Sequence, residues 1–162
     1  MLFPKRPVRR QRARVDRLTN AFRVYPARAH RVLPDPGRPF RVELRLARNR
    51  RHMREEIARM EGPKAVPEPE CMGLVRSWHS KITGRPAVRP GGVIARVYLN
   101  RRDLRDKPSE IVSHECTHAG MAWARFNRVS LGRMAGEEVL CYAVGKMVAQ
   151  VNRIGYAEGV WR

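Results

Sequence analysis

The stretch that decides the fold is Lys107-Pro108-Ser109-Glu110-Ile111-Val112-Ser113-His114-Glu115-Cys116-Thr117-His118-Ala119. Proline is tolerated in the first turn of a helix, and Ile111, Val112 and Ala119 supply an apolar face, so the stretch predicts a helix reaching to about Phe126. On a helix, residues four apart lie on one face, one turn above the other. His114 and His118 therefore offer two imidazoles to a single ion about 2.0–2.1 Å away. Glu115, one step round, reaches water beside the ion without ligating it. Zinc lowers the pKa of that water toward about 7, and the carboxylate takes its proton as it attacks a carbonyl. The plainer reading is two surface histidines beside an unrelated glutamate. The motif's place in mid-helix, soon after a strand and with the small Ala119, Ala122 and Ala124 above it for close packing, argues against that.

Before this helix, Val93-Ile94-Ala95-Arg96-Val97-Tyr98-Leu99 is rich in β-branched and aromatic residues and predicts a strand. Phe40-Arg41-Val42-Glu43-Leu44-Arg45-Leu46 alternates apolar and charged residues, as a half-buried strand does. Asn49 to Glu61 carries Met53, Ile57 and Met60 at helical spacing, and Gly62-Pro63 ends it. Cys71 to Ile82 reads as a strand with Leu74, Arg76 and Trp78 on one face, and residues 83–92 as a turn region. After a loop bracketed by Gly132 and Gly136, Glu137 to Ile154 reads as the last long helix. The expected class is α+β, in the order β-α-β-β-α-α, with a small twisted sheet packed against the helix of the two histidines and a C-terminal helix. Residues 1–39, arginine-rich and then proline-rich, read as a basic arm that is partly irregular, and 40–162 as the domain.

The HECTH motif, the strand before it and the helix after it, opening with glutamate, resemble the zincin metallopeptidases over roughly 93–150. No histidine follows His118, so the resemblance is to gluzincins, and among these to the small ImmA/IrrE-like proteins. It implies a minimal zincin core, one Zn2+ held by His114, His118 and a glutamate of the next helix, and Glu115 as catalytic base. In gluzincins that glutamate is followed by small residues three and seven positions on, where the two helices touch. Counting from Glu138 gives Cys141 and Gly145; counting from Glu137 gives Leu140 and Val144. The resemblance therefore selects Glu138 and leaves Glu137 as a first-turn carboxylate. It also implies a protein or peptide substrate laid along strand 93–99 as an edge strand; Arg96 there reads either as a solvated charge, the default, or as a group that favours acidic substrate side chains. Tyr142, Tyr156 and His79 are candidates for oxyanion stabilisation, and none is assigned.

Cys116, turned away from the histidines, reads as a buried thiol, and Cys141 as facing the active-site helix. Trp123 reads as a packing anchor. The three cysteines show no CxxC spacing and read as reduced thiols. With a basic start that leads into more arginine rather than an apolar run, this suggests a cytoplasmic protein and no membrane segment.

The formal charge of +19 is uneven: residues 1–60 hold 18 Lys and Arg against 5 Asp and Glu, a net of +13. Such an excess suits nucleic acid bound through the N-terminal region, although 29 of the 34 cations are arginine, a skew that a GC-rich genome also produces. The chain is thus expected to be a zinc metallopeptidase. Its rivals are a basic nucleic-acid-binding protein of phage or mobile-element type, whose zinc is structural or non-catalytic, and a pseudo-enzyme that holds a partner without cleaving it.

Overall fold

The computed structural model describes residues 41–80, 83 and 85–161; the expected arm over 1–39 and the expected strand ends at Phe40 and Ile82 lie outside them. The alternating segment forms β1 (Arg41–Ala47), burying Val42 and Leu44. Helix α1 (Arg50–Glu61) starts where Asn49 Oδ1 accepts a hydrogen bond from the His52 amide at 2.9 Å. It ends at Gly62, whose φ of 93° suits a residue without Cβ. After a short 3-10 turn (Pro63–Ala65) come β2 (Gly73–His79), the two-residue β3 (Pro86–Ala87) and β4 (Val93–Asn100). Helices α2 (Arg101–Asp106), α3 (Pro108–Phe126) and α4 (Met134–Ala157) complete the chain.

Among the described residues the architecture is α+β: a mixed four-stranded sheet and four helices. Two elements add to the expected order. Strand β3 pairs with β2 only at Trp78 and His79. Helix α2 is hidden in the charged string Arg-Arg-Asp-Leu-Arg-Asp. It forms because the fully buried Asn100 caps it, accepting from the Asp103 amide at 3.0 Å.

The sheet order is β1-β4-β2-β3, with β1 parallel and β2 antiparallel to β4. This corrects one expectation: strand 93–99 is not an edge strand. Its two backbone edges are taken by β1, from Arg41 to Ala47, and by β2, from Gly73 to Ser77. The near-continuous apolar run of β4 is what an interior strand requires. Among the described residues, the strand beside α3 with an open side is β2.

Both faces of the sheet are covered. On one, Val42, Leu44, Ala95, Val97 and Leu99 pack with Ile111, Val112, Cys116, Ala119 and Trp123 of α3 and Val139, Ala143, Met147 and Val151 of α4. On the other, Tyr98 packs with Ala47 and with Met53 and Ile57 of α1. Trp123 and Cys116 are buried as expected. An ionic layer seals the α1 face: Glu61 accepts from Arg96 at 2.6 Å and from the Tyr98 hydroxyl at 2.8 Å, and Glu43 accepts from Arg96 at 2.6 Å. Arg96 is thereby occupied, which removes the substrate role expected of it. No helix among the described residues is long and apolar enough to cross a membrane.

Candidate metal centre

Helix α3 packs its apolar side onto β4 and β2 and turns His114 and His118 outward, both exposed. Their ring centroids are 4.8 Å apart and the rings nearly perpendicular, at 73°. The spacing suits two imidazoles meeting one ion. Thr117, between them, returns its hydroxyl to the Ser113 carbonyl at 2.8 Å and leaves the face to the histidines. Cys116 points into the core, where burial, and then the nearby Glu115, push its thiol up to about 12. It remains a packed thiol.

Glu115 lies between the solvent face and the sheet and is 6 % exposed. Burial raises its pKa, and only His114 pulls the other way. Among the described residues no hydrogen bond reaches its carboxylate, whose oxygens are not among the fully enclosed unpaired atoms and so keep some contact with solvent. A buried carboxylate without a donor carries a desolvation penalty, which the charge of the neighbouring His114 only partly offsets. The two imidazoles supply two of the ligands a zinc ion takes.

Sequence reasoning missed what holds Glu115 there. Gly73, buried at the start of β2, lies against it: a Cβ at residue 73 would stand 2.7 Å from Glu115 Cγ and 2.9 Å from Oε1. The neighbouring Met72 carbonyl accepts from Asn100 Nδ2 at 2.9 Å, and Asn100 and Arg50 both reach Asp103 Oδ2, at 3.0 and 2.6 Å. Cys71 donates to the Gly73 carbonyl at 2.6 Å. The start of β2 is thus fixed from three sides. A glycine opening a strand was the available signal.

The third ligand is not gathered. Among the described residues no group of three or more His, Cys, Asp or Glu side chains stands ready to hold an ion. Glu137 and Glu138 are both exposed in the first turns of α4. The packing premise that selected Glu138 is not met. Cys141 and Gly145 are exposed, and a Cβ at Gly145 would meet nothing within 4 Å. Helices α3 and α4 touch instead where Gly120 lies under Val144 and Leu140, with a would-be Cβ 2.5 Å from Val144 Cγ2. The room for close approach comes from a glycine on α3, so bulkier residues on α4 are accommodated. At about 100° per residue, Glu137 shares the side of Leu140 and Val144, and Glu138 shares the side of Cys141 and Gly145.

Of the remaining candidates, Tyr142 is half-buried against the core. Tyr156 is exposed and stands edge-on to Trp161, with centroids 5.8 Å apart. His79 is exposed at the end of β2. Trp78 is held by Glu61 at 3.3 Å, and the guanidinium groups of Arg89 and Arg96 stack on it.

In comparisons with known proteins, no family model, no curated protein and no solved structure matches this chain.

Proposed function

We propose that the chain is a zinc metallopeptidase of gluzincin type, built on a minimal zincin core and working in the cytoplasm. The observation that carries the reading is the joint placement of His114, His118 and Glu115: two imidazoles on one helix face, with a buried carboxylate that has no other partner beside them. His114 and His118 hold the ion, and a carboxylate from the start of α4 completes the set. The sequence pattern favours Glu138 for that place and the helix packing favours Glu137. Bound zinc supplies Lewis acidity and lowers the pKa of water at the site. Glu115 accepts the proton of the water that attacks the substrate carbonyl and returns it to the leaving amine. Its burial keeps it poorly solvated and so a readier base. The substrate is a protein segment in extended form, and the strand open to it is β2, whose free edge starts at Gly73 under Glu115.

Element analysis of purified protein tests this. About one zinc per chain is expected for wild type, lost in His118→Ala and in one of Glu137→Ala and Glu138→Ala. The variant that loses zinc identifies the third ligand. No zinc in any preparation, even after zinc is supplied, sinks the reading.

The second reading, a nucleic-acid-binding protein with a structural zinc, rests on the charge of +19. It requires that nucleic-acid affinity fall steeply with salt and that Glu115→Gln leave every activity intact.

A further inference from the structure

Arg76 on β2 and Arg96 on β4 are direct partners across the sheet, both on the face covered by α1. Like charges placed opposite each other repel. Arg96 is compensated by Glu43 and Glu61, each at 2.6 Å. Arg76 is not. Among the described residues no carboxylate pairs with it, and its Nε is buried with no acceptor. An N–H of a cation left buried and unpaired is a standing cost, and neither β4 nor α1 supplies the missing acceptor. Among the described residues, β2 is open on its other side from Gly73 to Ser77, because β3 joins at Trp78 and His79. A carboxylate for Arg76 can therefore arrive on a chain laid along that edge.

We propose that Arg76 selects an acidic side chain in an extended peptide docked on the open edge of β2. A strand added there places one side chain opposite Arg76, on the same face. That side chain is three residues from the one opposite Gly73, roughly 10 Å along the strand, and points to the other face. The acidic residue is thus read on the α1 face while the peptide unit three positions away lies beside Glu115. The inference deepens the peptidase reading by naming the substrate class, and the docking itself does not depend on catalysis.

The test is an array of ten-residue peptides, varied one position at a time and probed with the full-length Glu115→Gln chain, with and without zinc. One position should prefer Asp or Glu over the neutral amides by about tenfold, the scale of one charge-assisted hydrogen bond. Arg76→Lys should keep the preference, Arg76→Gln abolish it and Arg76→Glu turn it to Lys and Arg, with the other positions unchanged. A merely structural arginine would give no such inversion. An acidic preference that survives Arg76→Gln, no acidic preference at all, or no peptide retained overturns the proposal. The zinc-loaded wild-type chain on the same peptides separates the two readings. Cleavage without an acidic preference removes the role of Arg76 and leaves the peptidase; Arg76-dependent binding without cleavage does the reverse.

Discussion

Gly73 and Glu115 touch so closely that residue 73 has no room for a side chain: a Cβ there would fall 2.7 Å from Glu115 Cγ. The start of a strand and the carboxylate of a helix are set by a single contact. Gly73→Ala should therefore move Glu115 without disturbing the histidines. If Glu115 is the base of the proposed peptidase, hydrolysis is expected to fall on the order of a hundredfold, the scale of a small misplacement of a catalytic group, with zinc content unchanged. Steady-state kinetics and metal stoichiometry on the same preparation check this. Loss of zinc in parallel would mean that the helix itself had been displaced.

Two helix glycines should respond in opposite directions. At Gly120 an added methyl meets Val144 at 2.5 Å, and Gly120→Ala should cost about 1–3 kcal/mol through overpacking. At Gly145 nothing stands within 4 Å. Gly145→Ala should stabilise by roughly 0.5–1 kcal/mol, from the lower entropy of the unfolded chain and higher helix propensity. Urea unfolding of both variants tests the helix register. Destabilisation by Gly145→Ala would place α4 in the other register and restore the packing case for Glu138.

Acid should unlock the corner formed by Arg50, Asn100 and Asp103. Burial pushes the Asp103 carboxyl up, but hydrogen bonds from Arg50 and Asn100 outweigh it and hold it below its ordinary value of 3.8. A folded value below the unfolded one contributes stability that is present above 3.8 and lost as pH falls through the folded value. Asp103→Asn should thus be less stable than wild type at neutral pH, and the gap should close as the pH drops below the ordinary carboxylate range. Melting temperatures measured across that range give the answer. A gap of constant size would rule out the charge of Asp103 as its source.

Glu115→Gln should raise the melting temperature of the metal-free chain at neutral pH. Its carboxyl has a raised pKa because it is buried, so the charged form burdens the fold at high pH and the burden disappears as the group protonates. The advantage of the variant should shrink as pH is lowered. In zinc-loaded protein it should shrink as well, if the ion compensates the charge. A metal-free variant less stable than wild type would show that the Glu115 carboxylate does accept hydrogen bonds in the folded chain.

Local patterns carried most of the elements. Alternation from Arg41 to Leu46, the helical spacing of Met53 and Ile57, and His114 with His118 one turn apart were all legible, because each depends on neighbours a few residues away. The order of strands was not. Val93 to Leu99 is apolar enough for the sheet interior, but its edge position was implied by the zincin resemblance, and its pairing with both β1 and β2 joins residues far apart in the chain. The α3–α4 contact was obscured for another reason. Close approach needs a small residue on only one helix, and a single sequence does not say whether Gly120 or the pair Cys141 and Gly145 supplies it. Gly73 was visible as a residue, but its meaning depends on Glu115, 42 positions later (115 − 73).

The parallel pairing of β1 with β4 joins Arg41 to Val93, residues 93 − 41 = 52 apart in the chain. During synthesis β1 and α1 leave the ribosome well before the strand that completes their core. Until then Val42 and Leu44 have nothing of β4 to cover them. A contact this distant in sequence must close a long loop before it is rewarded, which slows its formation relative to local pairings. The helix of the two histidines comes only after that strand, so β1, α1 and β4 can pair before the two imidazoles are in place.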